Sequence, residues 1–97
     1  MRARLATFQV DDRAKVDEEI ATTQRYLAGG KLPEEIPAIG FLMLVDREAG
    51  RVVEILLFES EEDLRRGDKT MSSYAPGEGS MHRISVERFD VPVRLSP

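Results

Sequence analysis

Glu54 is the single charged residue in the run 52–58, VVEILLF. Strand alternation places it on one face with Val52, Leu56 and Phe58. A carboxyl among such neighbours must be paired or protonated, and in either state it can take part in proton transfer. Two readings are open: an acid or base facing a ligand, or an ion pair with Arg4 or Arg88, reached across the sheet or from a second chain. His82, the only histidine, follows Gly77-Glu78-Gly79 at a loop-to-strand junction. An imidazole there suits a general base at a pocket mouth, and equally a plain exposed side chain. Tyr26 and Tyr74 stand near the ends of two predicted helices, where a hydroxyl either meets a ligand or completes amphipathic packing. Glu54, His82 and Tyr74 are therefore the candidate catalytic groups. Phe58, Leu56, Tyr26 and Met71 are the candidate walls of a pocket between sheet and helices.

Other chemistries find no residues to carry them. There is no cysteine, which removes disulfides and thiolate metal sites, and one histidine cannot build a multi-histidine site. No metal and no cofactor is expected. Ser85 lacks a His–Asp pair nearby for nucleophilic hydrolysis, and Gly77-x-Gly79 is too short to cradle phosphate. The net charge is −4, and eleven of the fourteen bases are arginines scattered along the chain. Nucleic acid needs a basic stripe, so none is expected as a partner. The longest apolar run, 41–45, is far short of the ~20 residues of a membrane span. No export leader precedes the first strand, which makes the cytoplasm the expected location. Ninety-seven residues suit one domain, 1–97, with 91–97 as an extended arm.

These residues need elements to hold them. The stretch 2–10 alternates as a strand, with Leu5, Thr7 and Gln9 on one face and Ala6, Phe8 and Val10 on the other. Asp11 and Asp12 offer caps to a helix over 13–28. Its apolar stripe is Val16, Ile20, Thr23 and Leu27, with Lys15, Glu18, Glu19 and Arg25 elsewhere on the wheel, and Gly29 and Gly30 end it. Pro33 and Pro37 stiffen the connection that follows. A hairpin is predicted from strands 38–46 and 51–58, with Gly50 free to take a positive φ. Ser60 caps a second helix whose first turn carries Glu61 and Glu62. Its stripe is Leu64, Met71 and Tyr74 or Ala75, and Gly67 on that side permits close approach to the sheet. A last strand is predicted over 81–90.

The order β-α-β-β-α-β is ferredoxin-like: an α+β domain whose antiparallel sheet carries two helices on one face. Its other face should then alternate with polar residues, yet 41–45 and 55–58 do not. A second copy packed sheet against sheet would cover it, so a homodimer is expected, with the 91–95 stretch as a clasp.

The run GFLMLVDREAGRVVEILLFESEEDLRRGDK, residues 40–69, resembles the hairpin-to-helix signature of the antibiotic-biosynthesis-monooxygenase-like proteins. Gly40, Phe41, Val45, Asp46, Arg47, Glu48, Gly50, Ser60, Glu61 and Glu62 match it. The resemblance implies a dimeric α/β barrel that binds an apolar, aromatic or polyketide-like molecule, as a monooxygenase working without metal or flavin. The alternative is a non-catalytic dimer that senses a ligand or partners another protein. Phe58 stands where many relatives carry tryptophan, which keeps the aromatic wall and loses an N–H donor. The family's haem degraders imply a histidine on or near the second helix. None is present there, which argues against haem.

Overall fold

The computed structural model describes residues 1–73 and 81–95. Within them, strands β1 (Arg2–Val10), β2 (Gly40–Asp46), β3 (Arg51–Phe58) and β4 (Met81–Asp90) form one antiparallel sheet in the order β2-β3-β1-β4. Helices α1 (Val16–Tyr26) and α2 (Glu61–Ser73) fall between β1 and β2 and between β3 and β4. This is the ferredoxin-like arrangement that the pattern of elements implies.

Local chemistry sets the boundaries. Asp12 accepts a hydrogen bond from the Ala14 backbone N–H and opens a single 3₁₀ turn, Arg13–Lys15, before α1 proper. Helix α1 therefore starts three residues later than periodicity suggests and ends two residues earlier, at Tyr26. Ser60 Oγ accepts from the Asp63 N–H at 3.1 Å, and three acids fill the first turn of α2. Gly50 has φ +66°, and a Cβ there would lie 2.8 Å from the Val10 carbonyl oxygen. The hairpin turn thus tolerates little but glycine.

Both helices pack on the sheet face that carries Phe8, Val10, Val52, Leu56 and Phe58. One core cluster joins Ala6, Phe8, Val10, Val16 and Val52; the other joins Ile36, Leu56, Phe58 and Leu64. Ile36, between the two prolines, is what the 31–37 connection contributes: it is a buried plug under α2. The Thr70 hydroxyl donates to the Glu35 carbonyl at 3.1 Å and ties that connection to the helix.

The opposite face is different. Val53, Ile55 and Leu57 are only half-buried, and Leu42, Leu44 and Phe89 are exposed. Strand β3 is covered on one side, not on both. Past β4, the Val91 N–H bonds to the Met1 carbonyl at 3.0 Å, while Val93 and Leu95 are almost fully exposed.

Gly67 is the contact point between α2 and the sheet. A Cβ there would fall 2.5 Å from Phe58 Cε1, and Phe58 is fully buried. Gly67→Ala should lower unfolding free energy by about 1–3 kcal/mol, since overpacking a rigid aromatic forces a backbone shift. Urea denaturation followed by circular dichroism measures it; an unchanged midpoint would mean that the helix lifts freely.

Candidate functional site

Between the two helices and the sheet lies a cavity of about 300 Å³. The sheet supplies its floor through Phe41 of β2, Glu54 and Leu56 of β3, and Met81 of β4. Helix α1 supplies Glu19, Thr22, Thr23 and Tyr26, and α2 supplies Met71. Two more open grooves run beside it and share Leu27 and Phe41.

The floor follows from register. Strand β3 pairs with β1 and β2, so Ala6 and Met43 flank Glu54 on the helix face. Ala6 is small, and that leaves room over the carboxyl. The wall from α1 follows from helical spacing: Glu19, Thr22, Thr23 and Tyr26 recur at three- and four-residue steps and form one stripe. Helical periodicity puts Glu19 off the apolar stripe of the wheel. The stripe Glu19–Thr22/Thr23–Tyr26, offset by one position from the apolar one, was the signal that places it on the cavity.

Glu54 makes no hydrogen bond or ion pair among the described residues. Burial pushes its carboxyl above the usual glutamate value of 4.5; the nearby Arg4 charge opposes this and Glu19 adds to it. The two arginines expected as partners are engaged elsewhere. Arg4 Nε donates to Asp68 Oδ1 at 2.8 Å, and Arg88 Nη2 donates to Asp68 Oδ2 at 2.6 Å. Asp68, on α2, thus clamps two cations of the sheet. Burial works against its ionised form, but the bonds from Arg4 and Arg88 win and hold its carboxyl below the usual 3.8. Arg4 is 2% exposed, and its Nη2 has no hydrogen-bond partner among the described residues.

The other candidate residues divide. Leu56, Tyr26 and Met71 line the cavity with Glu54. Phe58 does not; it lies one pleat further along β3, sealed beneath Gly67. His82 does not either. Alternation sends Met81 and Arg83 to the helix face and His82 to the other, where it is half-exposed and its Nε2 meets the Asp11 carboxylate. Tyr74 lies outside the described residues. Ile36, Leu32, Phe41 and Met81 also border the cavity, and no sequence pattern marked them as pocket residues.

No family model matches the chain, and no curated protein matches it by sequence. Solved structures do. A haem degrader from Mycobacterium tuberculosis, MhuD, with two haems bound in its active site, superposes over 99% of this chain and 100% of its own, with a TM-score of 0.68 and 14% identity. A MhuD arginine-to-serine variant with two manganese protoporphyrins per active site gives the same score and identity over 100% of both chains. The fold is that of MhuD. At 14% identity the likeness concerns the backbone arrangement, and the side chains must be judged on their own.

Judged so, the cavity does not suit haem. Among the described residues, its walls offer an iron no imidazole or thiolate and offer propionates no arginine or lysine. The chain's one histidine is on the far face of the sheet. Among the described residues, no group of three or more acids and histidines is placed to hold a metal ion, and no helix is long and apolar enough to cross a membrane.

The two carboxyls carry opposite pH signatures. Glu54, with its folded pKa raised, penalises folding as pH climbs from 4.5 through its folded value. Glu54→Gln should therefore be more stable than the parent at neutral pH, with the gap closing below pH 4.5. Asp68, with its folded pKa lowered, stabilises above 3.8 and loses that contribution as pH falls through its folded value. Asp68→Ala strands the buried Arg4 and should cost about 3 kcal/mol at neutral pH, with the gap narrowing in acid. Denaturant midpoints of both variants across acid to neutral pH check these signs; parallel curves would refute them.

Proposed function

We propose that this chain is a homodimeric, antibiotic-biosynthesis-monooxygenase-like protein that binds an apolar or aromatic small molecule in the helix–sheet cavity of each subunit. The observation that carries this reading is Glu54, a largely desolvated carboxyl without a hydrogen-bond partner among the described residues, on the floor of an otherwise largely apolar cavity. A volume of about 300 Å³ stands at the small end of ligand pockets and suits one or two aromatic rings. The likeness to MhuD, a haem degrader with two haems bound in its active site, supports a small-molecule-binding reading.

In the catalytic form of this reading, Glu54 is the general base. A carboxyl held above its usual range takes a proton from an activated phenol or methylene more readily than an ordinary glutamate does. The resulting carbanion or phenolate is electron-rich enough to reduce dioxygen directly. For a methylene, both hydrogens leave, one oxygen atom enters as the new carbonyl, and the other departs as water. The apolar walls keep bulk water from the intermediate. Oxygen uptake with a panel of hydroquinones and anthrone-like compounds tests this. Uptake above buffer that falls about a hundredfold in Glu54→Gln supports the base; no uptake with any of them removes the oxygenase chemistry.

The non-catalytic reading, a ligand-sensing or protein-interaction dimer, has one observation in its favour. His82 is on the opposite face of the sheet, so no second proton carrier from the chain's histidine meets Glu54. That reading is favoured if aromatic compounds bind and none turns over.

Dimerisation is supported by the apolar sheet face bearing Leu42, Leu44, Val53, Ile55, Leu57 and Phe89, which the helices leave uncovered. Leu44→Glu should convert dimers to monomers in sedimentation velocity runs, since a carboxylate buried in an apolar interface without a partner is costly. A parent protein that sediments as a monomer would end the dimer reading.

A further inference from the structure

The walls of the cavity carry an unequal set of charges. Among the described residues that line it, two are acids, Glu19 and Glu54, and none is a lysine or an arginine. This is not a shortage of bases in the chain, which has fourteen. The bases nearest in the fold hold contacts of their own: Arg4 and Arg88 with Asp68, and Arg83 with the carbonyl of Met71, a residue of the cavity wall; Arg4 Nη2 keeps no hydrogen-bond partner among the described residues.

The two acids come from different elements, Glu19 from α1 and Glu54 from β3, so they meet the cavity from wall and floor. A carboxylate held largely out of water is stable only beside a counter-charge or donors; the charge of nearby Arg4 supplies part of this, and no described residue gives Glu54 a hydrogen bond. The remaining lining also suits a cation. Phe41 presents an aromatic ring, Met71 and Met81 present polarisable sulfurs, and the hydroxyl of Thr23, which donates to the Glu19 carbonyl at 3.0 Å, keeps its own lone pairs.

We propose that the ligand of this cavity is a protonated amine on a one- or two-ring apolar body, with the ammonium between Glu54 and Glu19. The inference rests on the reading of this cavity as the ligand site and adds the chemical class. It separates this chain from any protein that uses the same fold for a polyanionic ligand, because the charged residues among the described lining are both acids. It also gives Asp68 a positioning role: by accepting the bond from Arg4 Nε, it keeps that guanidinium from a direct ion pair with Glu54.

Calorimetric titration with three probes of nearly one shape tests the class: naphthylmethylamine, naphthol and naphthoate. The amine should bind roughly ten- to a hundredfold more tightly than naphthol, the worth of a charge-assisted contact, and naphthoate should not bind. Glu54→Gln should erase most of the amine's advantage and Glu19→Gln part of it, with naphthol binding and circular dichroism reporting an intact fold. Asp17→Asn, an exposed acid of α1 away from the cavity, should change neither affinity. Naphthol binding as tightly as the amine, or an advantage that survives both glutamine variants, would overturn the charge assignment and leave an apolar pocket in place. If none of the three probes binds at millimolar concentration, the cavity is not the ligand site and both readings fail together.

Discussion

Glu54 occupies a position in β3 where Leu56, Phe41 and the helices hold much of the solvent off, yet no described side chain pairs with it directly. The nearest cation on the same face, Arg4, is one diagonal step away across the β1–β3 pairing and is held by Asp68 instead. Much of the architecture around the site can be read as the consequence. Asp68 must stand on α2 at the height of Arg4 and Arg88, α2 must therefore lie close on the sheet, and close approach is available only because Gly67 has no side chain to meet Phe58. The electrostatics of the cavity and the packing of the helix are thus one problem with one solution.

That solution divides the helix face of the sheet into two regions of different character. One end is dense and dry, with Phe58, Leu64 and Ile36 filling the space beneath α2. The middle is open, because Ala6 is small and the end of α1 presents threonines and Tyr26 where another helix would present leucines. A fold of this size has little core to spare. Keeping a cavity with a raised carboxyl pKa subtracts from stability at neutral pH, and such sites are commonly kept for function and not for folding. The balance is struck by the second cluster and by the two-armed clamp at Asp68, where two charge-assisted contacts share one carboxylate.

The other sheet face obeys a separate constraint. Leu42, Leu44 and Phe89 stand in water in the single chain, next to the half-buried Val53, Ile55 and Leu57. An antiparallel sheet that met solvent on this side would alternate apolar and polar residues, and these strands do not. Cavity and open face are on opposite sides of the same strands. Substitutions on one side therefore reach the other only through the backbone of β3, which separates binding from association experimentally.

Composition, periodicity and capping residues were enough to determine the order of elements, the hairpin at Gly50, the cap at Ser60, the close approach at Gly67 and the suspect acid at Glu54. Those features are local: each depends on spacing of two, three or four residues and on a glycine, proline or cap whose preference is intrinsic. Tertiary structure alone decided which acids and bases meet. It gave Arg4 and Arg88 to Asp68 instead of Glu54, turned His82 to the far face, sealed Phe58 away from the cavity, and brought Glu19 to the cavity from a wheel position off the apolar stripe. Ile36 is the plainest case, a residue in a proline-bound connection that becomes core because α2 closes over it. Side chains sixty residues apart become neighbours only through strand register and helix placement, and no local preference encodes that.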